Sequence, residues 1–140
     1  IRGRLGMIFD TTAANKSKIV GYKKALDKLG YEYKMIFVRT SLENAQQRND
    51  LRSRKLPPEI VQKDWEKAKA ASNEFKKLFG RDFVEITNDD TPADLKKKTG
   101  ALYSKLMTWS SKFPSNKQAL AWKERELTMK YTAVRGLAKE

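Results

Sequence analysis

The sequence predicts an α/β fold in which helices cover a short, mainly parallel sheet. Continuous apolar runs, which are typical of strands buried on both faces, occur at residues 5–10, 35–38 and 83–86. Stretches with helical apolar spacing separate these runs. Because strands and helices alternate, we expect parallel β-α-β units, with helices on both faces of the sheet in a three-layer α/β/α arrangement.

The first predicted strand, LGMIFD, ends in an acid, and two threonines and then a helix follow it. That helix is predicted over residues 16–29, because its apolar residues share one stripe and Gly30 stands at the position of a C-cap. The second strand follows at residues 35–38. The chain is therefore expected to open with one β-α-β unit.

Two helices are predicted between the second and third strands. A capping box of Thr40 and Glu43 begins the first one, which is polar and continues to about Arg54. The prolines at 57 and 58 begin the second one, because the first turn of a helix does not need the N–H that proline lacks. Its amphipathic pattern continues to Gly80.

Two further helices are predicted after the third strand. Thr91 is the expected N-cap of the first, which Pro114 ends. Ser115 and Gln118 form a capping box for the second, which continues nearly to the end of the chain. The apolar stripe of this last helix consists of Leu120, Leu127, Tyr131 and Val134.

The composition restricts the chemistry that the chain can carry out. Its 140 residues include no Cys and no His, which excludes disulfides, thiolate nucleophiles, the usual zinc sites and imidazole acid–base catalysis. Catalysis would have to use carboxylates, Lys, Arg, hydroxyl groups or an oxygen-bound magnesium ion. The formal charge of +13 favours polyphosphates or nucleic acids as partners.

The size of the chain suits one compact domain. No apolar run approaches the roughly 20 residues that span a bilayer, and no signal peptide is evident, so we expect a soluble cytoplasmic protein without a membrane partner. A sheet of three strands that are apolar on both faces would expose an edge. Since the chain also begins at Ile1, we expect a missing N-terminal part, or a second copy that pairs with this edge in a homodimer.

A first candidate site lies at the end of the first predicted strand. Ligands of open parallel sheets bind beyond the carboxyl ends of the strands, where Asp10, Thr11 and Thr12 are expected. An acid after an apolar strand is also typical of magnesium-binding strands in nucleotide hydrolases and kinases. A strand-ending, helix-capping Asp is the alternative interpretation, and the pattern alone does not separate the two.

A second candidate site is the basic segment before the two prolines. Arg48 and Arg52 are four apart on the predicted polar helix and would share a face, and Arg54 and Lys55 follow. Such a guanidinium cluster can close over a polyphosphate and neutralise the charge that develops during phosphoryl transfer. A solvated helix face is the alternative interpretation.

Three motifs are informative together: GMIFDTT, the LGY before the second strand, and RNDLRSRKLPPE. They resemble the second half of the P-loop kinases of the zeta-toxin and polynucleotide-kinase-like group, which includes bacteriophage members and carries an Arg-rich lid similar to the third motif. The resemblance covers residues 5–90. It implies a partial P-loop NTPase fold over residues 1–90 with a lid at 41–58. From their charge and helical pattern, residues 91–140 are expected to form a basic helical extension packed on the same domain.

The resemblance also implies an activity, namely ATP-dependent phosphoryl transfer to a hydroxyl group such as a nucleic-acid 5′ end or a nucleotide sugar, with ATP and Mg²⁺ as cofactors. Asp10 would contact the metal or the phosphate acceptor. Arg48 and Arg52 would be catalytic lid residues on the ATP phosphates. By the same resemblance the phosphate-binding residues would be Thr11, Thr12, Arg54 and Lys55.

The chain departs from this group in one essential respect. None of its seven glycines lies in a G-x-x-x-x-G-K-[ST] loop, which would hold the β- and γ-phosphates. The chain also reads DTT where the group often has an acid, a glycine and a threonine. We therefore expect a missing N-terminal half to carry the loop, and this chain to be inactive as a kinase on its own.

The C-terminal region suggests alternative functions. From Leu95 to Glu140 there are 11 Lys and Arg against 3 Glu, a net of +8. Lysines interleaved with Tyr103, Trp109 and Trp122 are typical of surfaces that follow a nucleic-acid backbone and stack its bases. Trp109, however, shares the apolar stripe of its helix, which favours a place in the core. A non-catalytic nucleic-acid-binding module and a dimerising structural domain are the alternatives to the kinase.

Overall fold

The computed structural model describes the backbone of residues 6–137 and the side chains of residues 6–132. This part of the chain is mixed α/β and mostly helical, with five α-helices and a two-stranded parallel sheet. The elements in chain order are α1 (Lys16–Leu29), β1 (Met35–Arg39), α2 (Leu42–Asp50), α3 (Pro58–Phe79), a 3₁₀ turn (Gly80–Asp82), β2 (Phe83–Thr87), α4 (Pro92–Ser110) and α5 (Lys117–Leu137).

The two strands pair in parallel, with Met35 opposite Phe83 and Arg39 opposite Thr87. The helices α2 and α3 form the crossover that a parallel pair requires. The α/β class and the parallel pairing are therefore confirmed for the second and third predicted strands. The three-layer arrangement and the P-loop fold stay predictions.

The first predicted strand is not formed over the described residues 6–10, and Leu5 lies outside the described residues. All five described residues of this segment are exposed, and the side chain of Ile8 is 97% accessible. An apolar run becomes a strand only when a neighbouring strand satisfies its backbone groups. Within residues 6–137 no strand pairs with this segment, so the expectation of a three-stranded sheet is wrong for this part of the chain.

Two helix starts differ from the predicted capping boxes. Ser41, not Thr40, caps α2, because the Ser41 hydroxyl accepts a hydrogen bond from the Asn44 N–H. Asn116, not Ser115, caps α5, because its side-chain oxygen accepts from the Ala119 N–H at 2.9 Å. In both cases a distant acid receives hydrogen bonds from the predicted cap, as the Thr40 hydroxyl donates to Asp89 and Ser115 donates to Glu32.

The chain divides into two compact units. The first comprises the described residues up to Ile19 together with Met35–Asp89, and the second comprises Val20–Lys34 and the described residues from Asp90 onward. The core of the first unit contains Phe75, which is fully buried, and Phe37, whose ring centroid lies 6.5 Å from that of Phe75. Phe83 of β2 lies 5.9 Å from Phe37 and extends this aromatic cluster.

The second unit is organised around Gly30, which ends α1. Gly30 has a φ of 72°, and its N–H and that of Tyr31 donate back to the carbonyls of Asp27 and Leu26. These two bonds form a Schellman motif, which glycine favours because it adopts a left-handed conformation without strain. The side chain of Asn116 then donates to the Gly30 carbonyl at 2.9 Å, so the start of α5 packs against the end of α1.

The helix α4 has a half-buried stripe that includes Leu102, Leu106 and Trp109, as the helical spacing predicts. The ammonium group of Lys34 lies 5.4 Å from the ring centroid of Trp109. The ring is therefore partly covered by the protein itself. Each helix within residues 6–137 is either too short or too polar to span a bilayer.

Candidate functional site at the carboxyl ends of the two strands

The parallel strands β1 and β2 end side by side, and polar residues follow each of them. Thr40 and Ser41 follow β1, and Asn88 and Asp89 follow β2. The Asn88 N–H donates to the Arg39 carbonyl at 2.7 Å, which extends the pairing of the strands by one residue. Because β1 and β2 run in the same direction, these four polar residues lie at one end of the sheet.

Asp89 lies at the centre of this end. Its carboxylate accepts hydrogen bonds from the Thr40 hydroxyl at 2.6 Å and from the side-chain amide of Asn44 at 2.8 Å. The Ser41 N–H lies 3.0 and 2.9 Å from its two oxygens. Asp89 therefore satisfies a backbone N–H at the start of α2, where an anion is favoured by the helix dipole.

These contacts lower the pKa of Asp89 from 3.8 to about 2. The hydrogen bond from Thr40 is the largest cause, and those from Asn44 and the Ser41 backbone follow, with a smaller attraction by the charge of Arg48. All of these stabilise the charged form of the carboxyl. Asp89 is consequently a carboxylate throughout the physiological pH range.

Arg48 reaches the same end of the sheet from the last turn of α2. Its guanidinium donates to the Asn88 carbonyl at 2.6 Å and lies 3.5 Å from the Thr40 hydroxyl. The helix places Arg48 there because it follows Asn44 by four residues, so both side chains lie on one side of α2. We call the set Thr40, Ser41, Asn44, Arg48, Asn88 and Asp89 the strand-end network.

Trp65 of α3 is hydrogen-bonded to the backbone of the strand-end network. Its indole N–H donates to the Thr40 carbonyl at 2.8 Å. An indole N–H that finds a partner in a partly buried site holds its large ring in one orientation. The start of α2 is therefore connected to α3 as well as to β2.

Asn49 shapes the loop between α2 and α3. It is the one polar residue that is buried among the described side chains, and its amide donates to the Leu56 carbonyl and accepts from the Leu56 N–H, both at 2.9 Å. These two bonds mimic a backbone pair and close the loop. The predicted lid is thus anchored at one buried side chain.

The other predicted lid residues lie on this loop or beside it. Because α2 ends at Asp50, Arg52 is not on the same helix as Arg48, and the prediction that both share a helix face is wrong. Arg52, Arg54 and Lys55 are exposed and form no ion pair with any described residue. Their phosphate-binding roles stay predictions.

The predicted residues at the other candidate site are exposed. Asp10, Thr11 and Thr12 follow no strand, and the Thr11 hydroxyl accepts from the Ala13 N–H at 3.4 Å. Over the described residues Asp10 forms no ion pair with Arg48 or Arg52. The described chain also has no group of three or more acidic, His or Cys ligands that could hold a metal ion. The metal-binding role of Asp10 stays a prediction.

Asp89 and Asn88 are the site residues that the sequence analysis missed. They follow the third predicted strand in the segment ITNDD, just as Asp10 follows the first one in MIFD. The same rule that ligands bind beyond the carboxyl ends of parallel strands would have selected them. The signal was present, but the segment reads equally well as a linker rich in turn formers.

No protein-family model, no curated protein and no solved structure was found to match the chain. The functional interpretation therefore depends on the residues of the strand-end network and of the loop beside it.

Proposed function

We propose that the chain is the lid-bearing half of an ATP-dependent phosphotransferase that acts on a hydroxyl group. The observation that carries this proposal is the guanidinium of Arg48 at the carboxyl ends of two parallel strands. That end of an open α/β sheet is where ligands bind. A guanidinium there suits the charge of a phosphoryl group, and the loop that follows α2 adds Arg52, Arg54 and Lys55.

The donor chemistry of this region fits a nucleotide polyphosphate. Three exposed cations on one short loop supply donors for phosphate oxygens, and guanidinium groups bind such oxygens in pairs. Magnesium in kinases is usually held by one or two carboxylates together with phosphate oxygens and water. Asp10 is the carboxylate that the proposal assigns to Mg²⁺, which would neutralise phosphate charge when bound.

The proposal assigns the glycine-rich phosphate loop to a part of the protein upstream of Ile1. It also leaves the acceptor as a nucleic-acid 5′ end or a nucleotide sugar, both of which carry negative charge that suits the basic surface. On its own the chain would not transfer phosphate, because no G-x-x-x-x-G-K-[ST] segment lies within it.

The test is made on the protein encoded by the complete reading frame. We expect that frame to contain a G-x-x-x-x-G-K-[ST] segment upstream of Ile1, and the protein to transfer the γ-phosphate of Mg-ATP. Arg48→Ala and Arg52→Ala should each lower kcat by about a hundredfold or more, since they remove charge stabilisation in the transition state. Arg81→Ala, at an exposed arginine in the 3₁₀ turn, is the matched control and should leave kcat unchanged.

Two results would contradict the proposal. The first is a complete frame without the glycine-rich segment. The second is a complete protein that binds no Mg-ATP in equilibrium dialysis.

A nucleic-acid-binding module is the second candidate, and one exposed ring favours it. The side chain of Tyr103 is 64% accessible on α4, and the exposed Lys96 lies seven residues earlier on the same side of the helix. A ring beside a cation can stack a base while the cation contacts the backbone. A titration with single-stranded DNA should then show affinity that falls steeply with salt and that Tyr103→Ala weakens; salt-independent or undetectable binding would exclude this candidate.

A further inference from the structure

The last helix has an exposed apolar stripe within the second unit. Leu120, Leu127 and Tyr131 are 49%, 45% and 70% accessible. The covered side of α5 is a different one, which contains Ala119, Trp122 and Glu126. An apolar stripe on an amphipathic helix usually faces a core. Among the described residues of the second unit, no element covers this stripe of α5.

The spacing of the open stripe is that of a coiled-coil seam. Leu120, Glu124, Leu127 and Tyr131 follow one another at steps of four, three and four residues. This alternation places side chains at the a and d positions of a heptad. The helix Lys117–Leu137 has 21 residues and is about 31 Å long, and the described seam from Leu120 to Tyr131 covers nearly two heptads of it.

The two edges of the seam differ in charge. Lys123 and Lys130 lie seven residues apart along one edge, whereas Ala121 and Thr128 occupy the other edge. The ammonium group of Lys123 lies 4.8 Å from the ring centroid of Phe113, which is itself half exposed. One edge of the seam is therefore cationic and the other is neutral.

A second copy of the chain does not complement this seam. In an antiparallel pair Lys123 and Lys130 would face lysines of the other copy, and in a parallel pair they would face Ala121 and Thr128. Neither arrangement supplies a carboxylate, and two copies of a chain with a net charge of +13 repel each other.

An anionic surface also fits the seam poorly. Membrane-surface helices bury a wide apolar face in the bilayer interface, whereas the α5 seam is a narrow one with Glu124 in its middle. Phosphates that covered the seam would meet Glu124, whereas carboxylates of a partner helix would lie at the edge beside Lys123 and Lys130. A helix with acidic residues at its edge complements both the leucines and the lysines.

We propose that the α5 seam binds an amphipathic helix of a partner protein, which carries carboxylates along the edge that faces Lys123 and Lys130. The bound helix inserts its own apolar side chains between Leu120, Leu127 and Tyr131. Its position opposite Glu124 is a cation or a neutral polar residue, because two buried carboxylates in contact would be destabilising. This surface is independent of the strand-end network and of any phosphotransferase activity.

The experiment uses two synthetic four-heptad peptides with the same seam, which is leucine except for one Asn opposite Glu124. One peptide has Glu and the other has Lys at every edge position. Fluorescence anisotropy measures the binding of each labelled peptide to the chain. We expect the Glu peptide to bind at least about tenfold more tightly than the Lys peptide, because each desolvated opposite charge adds to the pairing. Replacement of both edge lysines by Glu (K123E with K130E) should reverse this preference.

Seam variants locate the surface. Leu127→Asp and Tyr131→Asp should each weaken binding of the Glu peptide by about tenfold or more, as expected at the centre of a small interface. Met129→Asp is the matched control, because Met129 is 60% accessible on the same helix but lies off the seam. It should change the affinity by less than about twofold. Circular dichroism establishes that each variant keeps its helices, as substitutions at exposed positions should.

Any other occupant of the α5 seam would give a different experimental result. Failure of the Glu peptide to bind, or an equal loss in Met129→Asp, would overturn the proposal. So would a dimer in sedimentation equilibrium that Leu127→Asp dissociates, because the seam would then belong to a second copy. Binding to phosphatidylserine vesicles or to single-stranded DNA that depends on Leu127 would overturn it as well.

Discussion

Each of the two units of the chain is stabilised internally by a different kind of contact. In the first unit, large side chains fill a core, with the Phe75 ring completely buried beside Phe37. In the second unit, Gly30 and Ala119 are the buried residues within the described range, and short side chains and backbone groups join the end of α1 to the start of α5.

This difference determines which substitutions each unit should tolerate. A unit with a core of aromatic rings is destabilised by the loss of side-chain volume, because the cavity that forms loses both buried surface and contacts. A unit in which two backbone segments approach closely is destabilised by the gain of a single carbon atom, because there is no room for it. We therefore expect the first unit to be sensitive to the removal of side-chain volume and the second unit to be sensitive to its addition.

The largest effect should come from Phe75→Ala in the first unit. We expect the free energy of unfolding to fall by about 3–5 kcal/mol, the range for a phenyl ring deleted from a core. Urea denaturation followed by circular dichroism measures the change. Phe113→Ala, which removes a half-exposed ring from the second unit, should cost less than about 1 kcal/mol. Equal losses in the two variants would show that the units do not differ in this way.

The second effect concerns the buried amide that closes the loop between α2 and α3. Asn49→Ala leaves the Leu56 N–H and carbonyl without their partner, which should lower the free energy of unfolding by about 1–3 kcal/mol. Hydrogen exchange should also show loss of protection at the Leu56 amide. Asn73→Ala, at an exposed position of α3, should stay within about 0.5 kcal/mol of the wild type. A Leu56 amide that exchanges at the same rate in both variants would contradict the assigned role of Asn49.

The third effect tests the second unit by addition. A β-carbon at Gly30 would lie 2.6 Å from the Cβ of Gln118 and 2.9 Å from the Ala119 nitrogen, and φ is 72°. Gly30→Ala should therefore cost about 1–2 kcal/mol of unfolding free energy. Gly21→Ala, within α1, meets nothing within 4 Å and should instead stabilise the chain by about 0.5–1 kcal/mol. Thermal denaturation measures both changes. If the two substitutions shift the midpoint temperature of unfolding in the same direction, the close packing at Gly30 is refuted.

The smallest effect depends on pH and concerns Asp89. Its pKa in the folded state is about 2, below the ordinary value of 3.8, so its contribution to stability is present above pH 3.8 and is lost as the pH falls towards 2. Asp89→Asn should therefore flatten the decline of the urea midpoint over that window. Asp50→Asn, at an exposed position at the end of α2, should leave the decline as in the wild type. Parallel profiles for wild type and Asp89→Asn would contradict the strand-end network.

Local signals predicted most of the helices well. The bounds of α1 were recovered because Gly30 supplies a left-handed C-cap within the segment itself. The start of α3 was recovered because two adjacent prolines fix the backbone at its first turn. Each of these signals acts within a few residues, so the sequence alone contains the necessary information.

Features that depend on distant residues were not predicted. Thr40 was a reasonable cap for α2, but its hydroxyl donates to Asp89, which is 49 positions away, and Ser41 takes over the cap. The open side of α5 could not be predicted either, because helical periodicity identifies an apolar stripe without identifying what covers it. For the strand-end network, Arg48 was found by its charge, whereas Asp89 was overlooked because long-range pairing gives it its role.

The contact at Gly30 has a consequence for tracing the ancestry of this chain. Gly30 is bonded to Asn116 across 86 positions, and its α-carbon faces the first turn of α5 with no space for a side chain. Homologues that retain this packing must retain a glycine at the position of Gly30, even where most surface residues differ. A glycine and an asparagine at this separation, each beside a helix end, would then serve as a signature for recognising distant relatives.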